Sequence, residues 1–196
     1  MTKRAWLAMA GLLAVAAPAA AQDDRGLYLG GSIGYAGFKN TCKERVIPCE
    51  DNDTAWRAFA GYQFNRNVAL EAGYADLGEA TGSGIVNTGT PGTMKVEFKD
   101  VFDFSGLLSF PIVNRLHGFG RLGLYRARTT VHETATGFPD FRAGDTNTGF
   151  SYGAGVDYRL GFVGIRAEWQ HYDNVGGAST GEDDIDVLSV GFLVRF

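Results

Sequence analysis

No apolar run after Ala21 approaches the roughly 20 residues that a membrane-spanning helix needs, so the sequence excludes a helical membrane protein. Cysteine is nearly absent, Cys42 and Cys49 being the only two. Two thiolates without partner ligands nearby do not make a structural metal cage, and a single pair cannot staple a small disulfide scaffold. Excess positive charge is missing too: 18 Lys and Arg stand against 22 Asp and Glu. That balance removes the electrostatic case for nucleic acid as a partner. What the chain does have is 28 glycines, 14 phenylalanines and 8 tyrosines. If it enters a membrane, it must do so with strands.

The first residues read as an export signal. Lys3 and Arg4 precede an apolar run from Ala5 to Ala17, and Pro18-Ala19-Ala20-Ala21 supplies a small-residue cleavage box. Residues 1–21 are therefore expected to be a signal peptide, leaving 22–196 as one domain. Export also places Cys42 and Cys49 in an oxidising compartment, which favours a disulfide between them.

Period-two alternation, which sends successive side chains to opposite faces of a strand, marks eight segments. Leu27–Phe38 sets Leu29, Ile33 and Tyr35 against Gly30, Ser32 and Gly34. Ala55–Phe64 sets Trp56, Tyr62 and Phe64 against Arg57, Phe59 and Gln63. Val68–Leu77 sets Leu70 and Tyr74 against Glu71 and Gly73. Val96–Phe110 sets Phe98, Phe102, Phe104 and Leu108 against Lys99, Asp103, Ser105 and Leu107. The fifth, from Leu116, opposes Leu122 and Leu124 to His117, Arg121 and Tyr125. The sixth opposes Phe150, Tyr152 and Tyr158 to Ser151, Gly153 and Asp157. The seventh opposes Ile165 and Trp169 to Arg166, Glu168 and Gln170, and the eighth opposes Leu188, Val190 and Phe192 to Ser189, Gly191 and Arg195.

One face is thus apolar and aromatic, while the other collects small, polar and charged residues. A water-soluble barrel would spread its charges over the outside. A lipid-facing barrel inverts this, with an apolar outer band and a polar lumen. The connections alternate short (Asn65–Asn67, Pro111–Asn114, Arg159–Gly161) and long (Lys39–Thr54, Gly78–Lys95, Arg126–Asn147, Asp173–Asp184), as periplasmic turns and surface loops do. The expected fold is all-β, an eight-stranded antiparallel up-and-down transmembrane β-barrel with both ends on the periplasmic side.

In order and spacing, Ala58–Phe64, Val68–Gly78, Gly120–Gly123, Ile165–Gln170 and Leu188–Phe196 resemble the transmembrane domain of the outer membrane protein A family. The resemblance implies residence in the outer membrane. It also implies contact with outer-membrane lipid and lipopolysaccharide, and insertion by the barrel-assembly machinery. Longer family members continue into a peptidoglycan-binding domain, and the resemblance implies that a chain ending at Phe196 is a short form expected to lack it. Ser189, Gly191, Val194 and Phe196 are similar to the pattern that the assembly machinery reads: polar, Gly, apolar, aromatic.

The inward set contains four cations, Arg57, Arg121, Arg166 and Arg195, and four anions, Glu71, Asp103, Asp157 and Glu168. Buried charges persist only when paired and hydrogen-bonded, so the set is expected to interlock. By resemblance, Glu71, Asp157 and Arg166 match a salt-bridge gate whose lysine is replaced here by Leu107.

Weaker patterns carry no assignment. Gly118–Gly123 spells a dinucleotide fingerprint but lies inside a strand rather than between strand and helix. His117, His132 and His171 are scattered. Among small barrels, a lipid A deacylase holds a His and a Ser near a strand end. His171 and Asp173 lie comparably, but the nucleophilic hydroxyl is missing. The acidic runs Glu50–Asp53 and Glu182–Asp184 read as solvated; oxygen ligands there would suit Ca²⁺ or Mg²⁺ bridging lipid phosphates, yet the spacing fits no calcium loop. No cofactor, metal or catalytic residue is assigned. Eight strands enclose only enough room for side chains, an interior for which small barrels of this family are the standard illustration. The expected role is a monomeric structural protein meeting surface ligands through its loops. A narrow porin-like channel is the alternative, and a lipid-modifying enzyme ranks below it.

Overall fold

The computed structural model describes residues 25–39, 49–50, 52–85, 91–135, 141–177 and 180–196. The signal segment 1–21 and Cys42 lie outside the described residues. Ten strands form one antiparallel sheet: β1 (Gly26–Phe38), β2 (Cys49–Glu50), β3 (Asn52–Gln63), β4 (Val68–Asp76), β5 (Glu79–Ile85), β6 (Pro91–Val113), β7 (Leu116–Ala135), β8 (Phe141–Leu160), β9 (Val163–Gly177) and β10 (Gly181–Arg195). The order β6-β4-β3-β1-β10-β9-β8-β7 returns to β6, so eight strands close a barrel. The seam pairs the first strand with the last, from Tyr28↔Arg195 to Phe38↔Ile185. Closure leaves no unpaired edge around the barrel body, the condition lipid imposes on a strand structure.

Alternation sorts the side chains as the sequence requires. Leu29, Ile33, Phe104, Leu122, Phe150 and Phe192 are each more than half exposed on the outside. Left in water, such a band would forgo about 25 cal/mol per Å² of apolar surface; hydrocarbon removes that cost.

The ends of the barrel differ. At one end the chain reverses tightly at Asn65–Asn67, Asn114-Arg115 and Gly161-Phe162. Asn65 Oδ1 accepts the Asn67 and Val68 N–H groups at 2.9 Å each, and Gly161 takes the left-handed φ of +67° that its turn needs. At the other end, three connections expected as loops are largely strand. β5 and the start of β6 occupy 79–85 and 91–95, β7 and β8 run to Ala135 and from Phe141, and β9 and β10 approach within a few residues at 177 and 181. The apolar signal stops there because the outward face turns polar: Arg126, Arg128 and His132 continue on β7 the face that Leu122 and Leu124 occupy lower down.

β4 and β5 keep one register against β6 on either side of Leu77-Gly78. Leu77 N–H donates to the Phe98 carbonyl at 3.0 Å, and Phe98 N–H to the Gly78 carbonyl at 2.9 Å. Gly78 has φ +85°, and a Cβ there would stand 2.6 Å from Asp53 Oδ2. Opposite this point, β6 bulges between Lys99 and Phe102, with Asp100 at φ +54°. The bulge shifts the pleat by one residue and corrects the face expected for Phe98. Counted with Phe102 it should meet lipid; instead it is buried in the lumen.

Two apolar clusters fill the interior. Tyr28, Phe59, Ala69, Leu107, Phe119 and Leu193 lie toward the turn end. A larger cluster including Phe38, Leu77, Phe98, Tyr125, Tyr172 and Ile185 plugs the hairpin end. There Phe38 and Phe98 stack at 4.9 Å between centroids, and Tyr125 meets Tyr172 edge-on at 5.4 Å.

Candidate functional site: a charged lumen beneath an apolar plug

The eight inward charges come from seven of the barrel strands: Arg57 on β3, Glu71 on β4, Asp103 on β6, Arg121 on β7, Asp157 on β8, Arg166 and Glu168 on β9, and Arg195 on β10. Each sits at an inward parity of its strand. Glu71, fully buried, is the centre. Its Oε1 accepts from Arg57 at 2.8 Å and Arg121 at 3.1 Å, and its Oε2 from Arg166 at 2.7 Å and the Tyr28 hydroxyl at 3.1 Å. Arg57 also grips Asp103 through two bonds, Nε to Oδ2 at 2.9 Å and Nη2 to Oδ1 at 2.7 Å. Such two-pronged pairs fix geometry as well as charge.

Arg121 extends the network to Asp103 at 3.2 Å and to Glu168. Arg166 pairs with Asp157 at 2.8 Å, and Arg195 approaches the other Asp157 oxygen at 3.5 Å. All eight charges therefore belong to one connected set. Two of the guanidiniums also lie over aromatic rings, Arg57 at 5.0 Å from the Phe59 centroid and Arg166 at 4.6 Å from that of Phe119, a favourable placement for a desolvated cation.

Glycine makes room for this packing at one critical point. A Cβ on Gly73 would lie 2.5 Å from both Arg57 Nη2 and Asp103 Oδ2, so a side chain there would push the pair apart. A void of about 10 Å³ lies beside the network, lined by Arg57, Glu168, Gln170 and Tyr172, near the minimum for one water.

Several participants were not singled out from the sequence. Tyr28 and Gln170, which accepts from Arg121 at 3.2 Å, occupy inward parities and were legible as such, but an uncharged polar residue gives no pairing signal. The plug at the hairpin end was missed for the reasons given above. Leu107 faces the lumen in the turn-end cluster with Phe59 and Phe119 and pairs across β6 and β7 with Arg121.

The other sequence candidates separate. Ser189 and Gly191 point inward on β10; a Cβ on Gly191 would meet the Gly31 carbonyl at 2.3 Å. Val194 points outward, and Phe196 follows β10 with its N–H donating to the Leu27 carbonyl at 2.8 Å. Cys49 lies in β2, opposite Gly82 of β5; its side chain, like Cys42, is outside what the structure describes. His171 and Asp173 share the outer face of β9 near the hairpin end, whereas His117 faces the lumen at the turn end.

Outside the barrel body, the β5–β6 stem carries a small ion-pair ladder. Lys95 reaches Glu79 at 2.7 Å and Glu97 at 2.9 Å, and Lys99 reaches Glu97 at 3.3 Å. Hydrogen bonding from Lys95, ahead of that from Lys99, outweighs desolvation and holds the Glu97 carboxyl below its ordinary range.

This architecture is shared with known proteins. Residues 21–196 match the model of the OmpA-like transmembrane domain. The chain is 31% identical over 196 residues to outer membrane protein A of Escherichia fergusonii, covering 97% of this chain and 53% of that protein. It is also 31% identical over 205 residues to outer membrane protein A of Serratia marcescens, covering 97% and 54%. The chain thus spans about half the length of the curated relatives it matches. Among solved structures, Neisserial surface protein A superimposes with a TM-score of 0.58 at 17% identity, over 87% of this chain and 97% of that one. Ail of Yersinia pestis superimposes with 0.51 at 17% identity, over 87% and 99%. A family match across the whole barrel, joined to a closed sheet of eight strands with lipid-facing aromatics, places the chain in the outer membrane as a member of the OmpA-like transmembrane domain family.

Proposed function

We propose that the protein is a non-enzymatic structural barrel, closed to solutes, that stiffens the outer membrane and presents strand hairpins to the exterior. The observation that carries this reading is Glu71, fully buried and bonded by three arginines, under a plug of Phe38, Phe98, Tyr125 and Tyr172. A solute crossing the lumen would have to separate several charge-assisted bonds at once and displace packed rings. Nothing on the other side of the balance offsets that cost. On the outer surface, Arg126 and Arg128 project just past Leu122 and Leu124, where lipopolysaccharide phosphates would meet them; the hairpins beyond are the contact surface for other partners.

A switch between closed and open states needs two pairings of similar energy. A lysine in place of Leu107 would offer a carboxylate that second choice, and leucine cannot. In planar bilayers the purified barrel should therefore conduct weakly and switch rarely, with Leu107→Lys raising the frequency of openings. Large, stable openings from the unaltered protein would refute closure and establish the channel alternative.

A further inference from the structure

Two sequence features left without a role, the lone His171 and Asp184 of the acidic run Glu182–Asp184, meet on the outer face at the hairpin end, while Asp183, between Glu182 and Asp184, is buried on the lumen side. His171 and Asp173 are alternate outward residues of β9, and Asp184 faces outward on neighbouring β10. The β9–β10 ladder is irregular here. Tyr172 pairs with Ile185 and Val175 with Asp183, so Asp173 and Asn174 together oppose the single residue Asp184. Asn174 takes φ +54°, and the Asp173 carbonyl accepts the Tyr125 hydroxyl at 2.6 Å from inside the barrel. Bulges of this kind re-aim side chains. The result is that a ring nitrogen of His171 and one carboxylate oxygen each of Asp173 and Asp184 lie within 4.8 Å of one another.

Two further observations distinguish this trio from a solvated acidic patch. First, the His171 ring is more than nine-tenths buried, and its Nδ1 lies 2.7 Å from Asp186 Oδ1. A carboxylate only accepts, so Nδ1 is the donor of this pair and Nε2 is the ring nitrogen left to face a ligand, the orientation found behind metal-binding imidazoles. Asp186 is in turn held by Lys39 Nζ at 2.7 Å, which commits it to orienting the ring rather than to binding an ion itself. Second, among the described residues no lysine or arginine forms an ion pair with Asp173 or Asp184 within 4 Å: Lys39 acts on Asp184 only at longer range, its Nζ being held by Asp186, and Asp184 Oδ1 accepts the Asn174 N–H at 3.1 Å, leaving its second oxygen for a ligand. The Tyr152 and Trp169 rings, 4.8 and 6.3 Å from that of His171, lie beside it on the outer face.

We propose that His171, Asp173 and Asp184 form a binding site for a divalent transition-metal ion of the zinc class, with Asp186 as the residue that orients the imidazole. One imidazole nitrogen with two carboxylates suits Zn²⁺, whereas Ca²⁺ and Mg²⁺ take oxygen ligands alone. Three protein ligands leave a fourth position for solvent. The charge balances, since the ion neutralises the two aspartates and Lys39 already balances Asp186.

The test is calorimetric titration of the untagged, folded barrel in detergent with zinc chloride and, separately, calcium chloride. One equivalent of Zn²⁺ is expected, with Ca²⁺ bound far more weakly. His171→Ala and Asp184→Asn should abolish the site, and Asp186→Asn should weaken it about 10–100-fold, while heat-modifiable migration on gels shows that each variant is folded. Co²⁺ should give the intense visible absorption of a four-coordinate site, and His171→Ala should lose it. No Zn²⁺ binding, binding unchanged in His171→Ala, or Ca²⁺ binding as tight as Zn²⁺ would each overturn the proposal.

Discussion

Replacing Glu71 by Gln keeps the shape of the side chain and removes its charge, leaving Arg57, Arg121, Arg166 and Arg195 to share Asp103, Asp157 and Glu168. Arg57 and Arg121 retain bonds to Asp103 and Arg166 to Asp157, but the buried set now carries one positive charge too many. Breaking a buried pair from one side costs about 3–5 kcal/mol, and Glu71 has three cationic partners, so the upper part of that range is expected. A second change shows whether charge balance is the cause. Adding Arg57→Gln restores equal numbers and leaves every remaining charge with a partner: Arg121 on Asp103 and Glu168, Arg166 and Arg195 on Asp157. The double variant should therefore be destabilised by less than the sum of the singles, with a coupling in the range of about 0.5–3 kcal/mol for contacting residues. Urea unfolding in lipid vesicles, followed by tryptophan fluorescence, measures all three. A cost below about 1 kcal/mol for Glu71→Gln, or strict additivity, would show that the network is not what holds the lumen.

Two further outcomes follow from the hairpin end. The Glu97 carboxyl is held below its ordinary range, so its contribution is present above that range and is lost as pH falls through the lowered value; amide exchange in the β5–β6 stem should quicken on acidification, and Glu97→Gln should remove most of that pH dependence. Cys42 and Cys49 should be joined in the exported protein, so alkylation before reduction should add no mass and alkylation after reduction should add two equivalents; labelling without reduction would exclude the disulfide.

Much of the barrel body was legible in the sequence because lipid on one side and packed charge on the other impose a strict two-residue period. The eight charges of the network could be placed by parity alone, as Arg57 against Trp56 and Arg166 against Ile165 illustrate, whereas Asp183, buried on the lumen face of β10, lay in a run read as solvated. Parity fails where the pleat slips. Phe98 was assigned to lipid because nothing in Lys99-Asp100-Val101 announces a bulge, and Asp100 tolerates positive φ without being glycine. The same blindness hid the meeting of His171, Asp173 and Asp184, which depends on a second irregularity at Asn174. Connectivity within the lumen was not legible either. The sequence offers equal numbers of cations and anions, but that Glu71 is the hub is a matter of three strands directing their arginines to one point.

The pairing of β1 with β10 has a kinetic corollary. The seam joins residues from opposite ends of the described chain, so the hydrogen bonds that complete the barrel span the longest chain segment in the fold. Entropy of loop closure must be lost before those bonds can form, which makes high-contact-order sheets slow. Until the seam closes, two amphipathic strands keep bare edges, an arrangement open to pairing with a second molecule. The same contact that gives the finished barrel its permanence is thus the one whose absence leaves the unfinished sheet open at both edges.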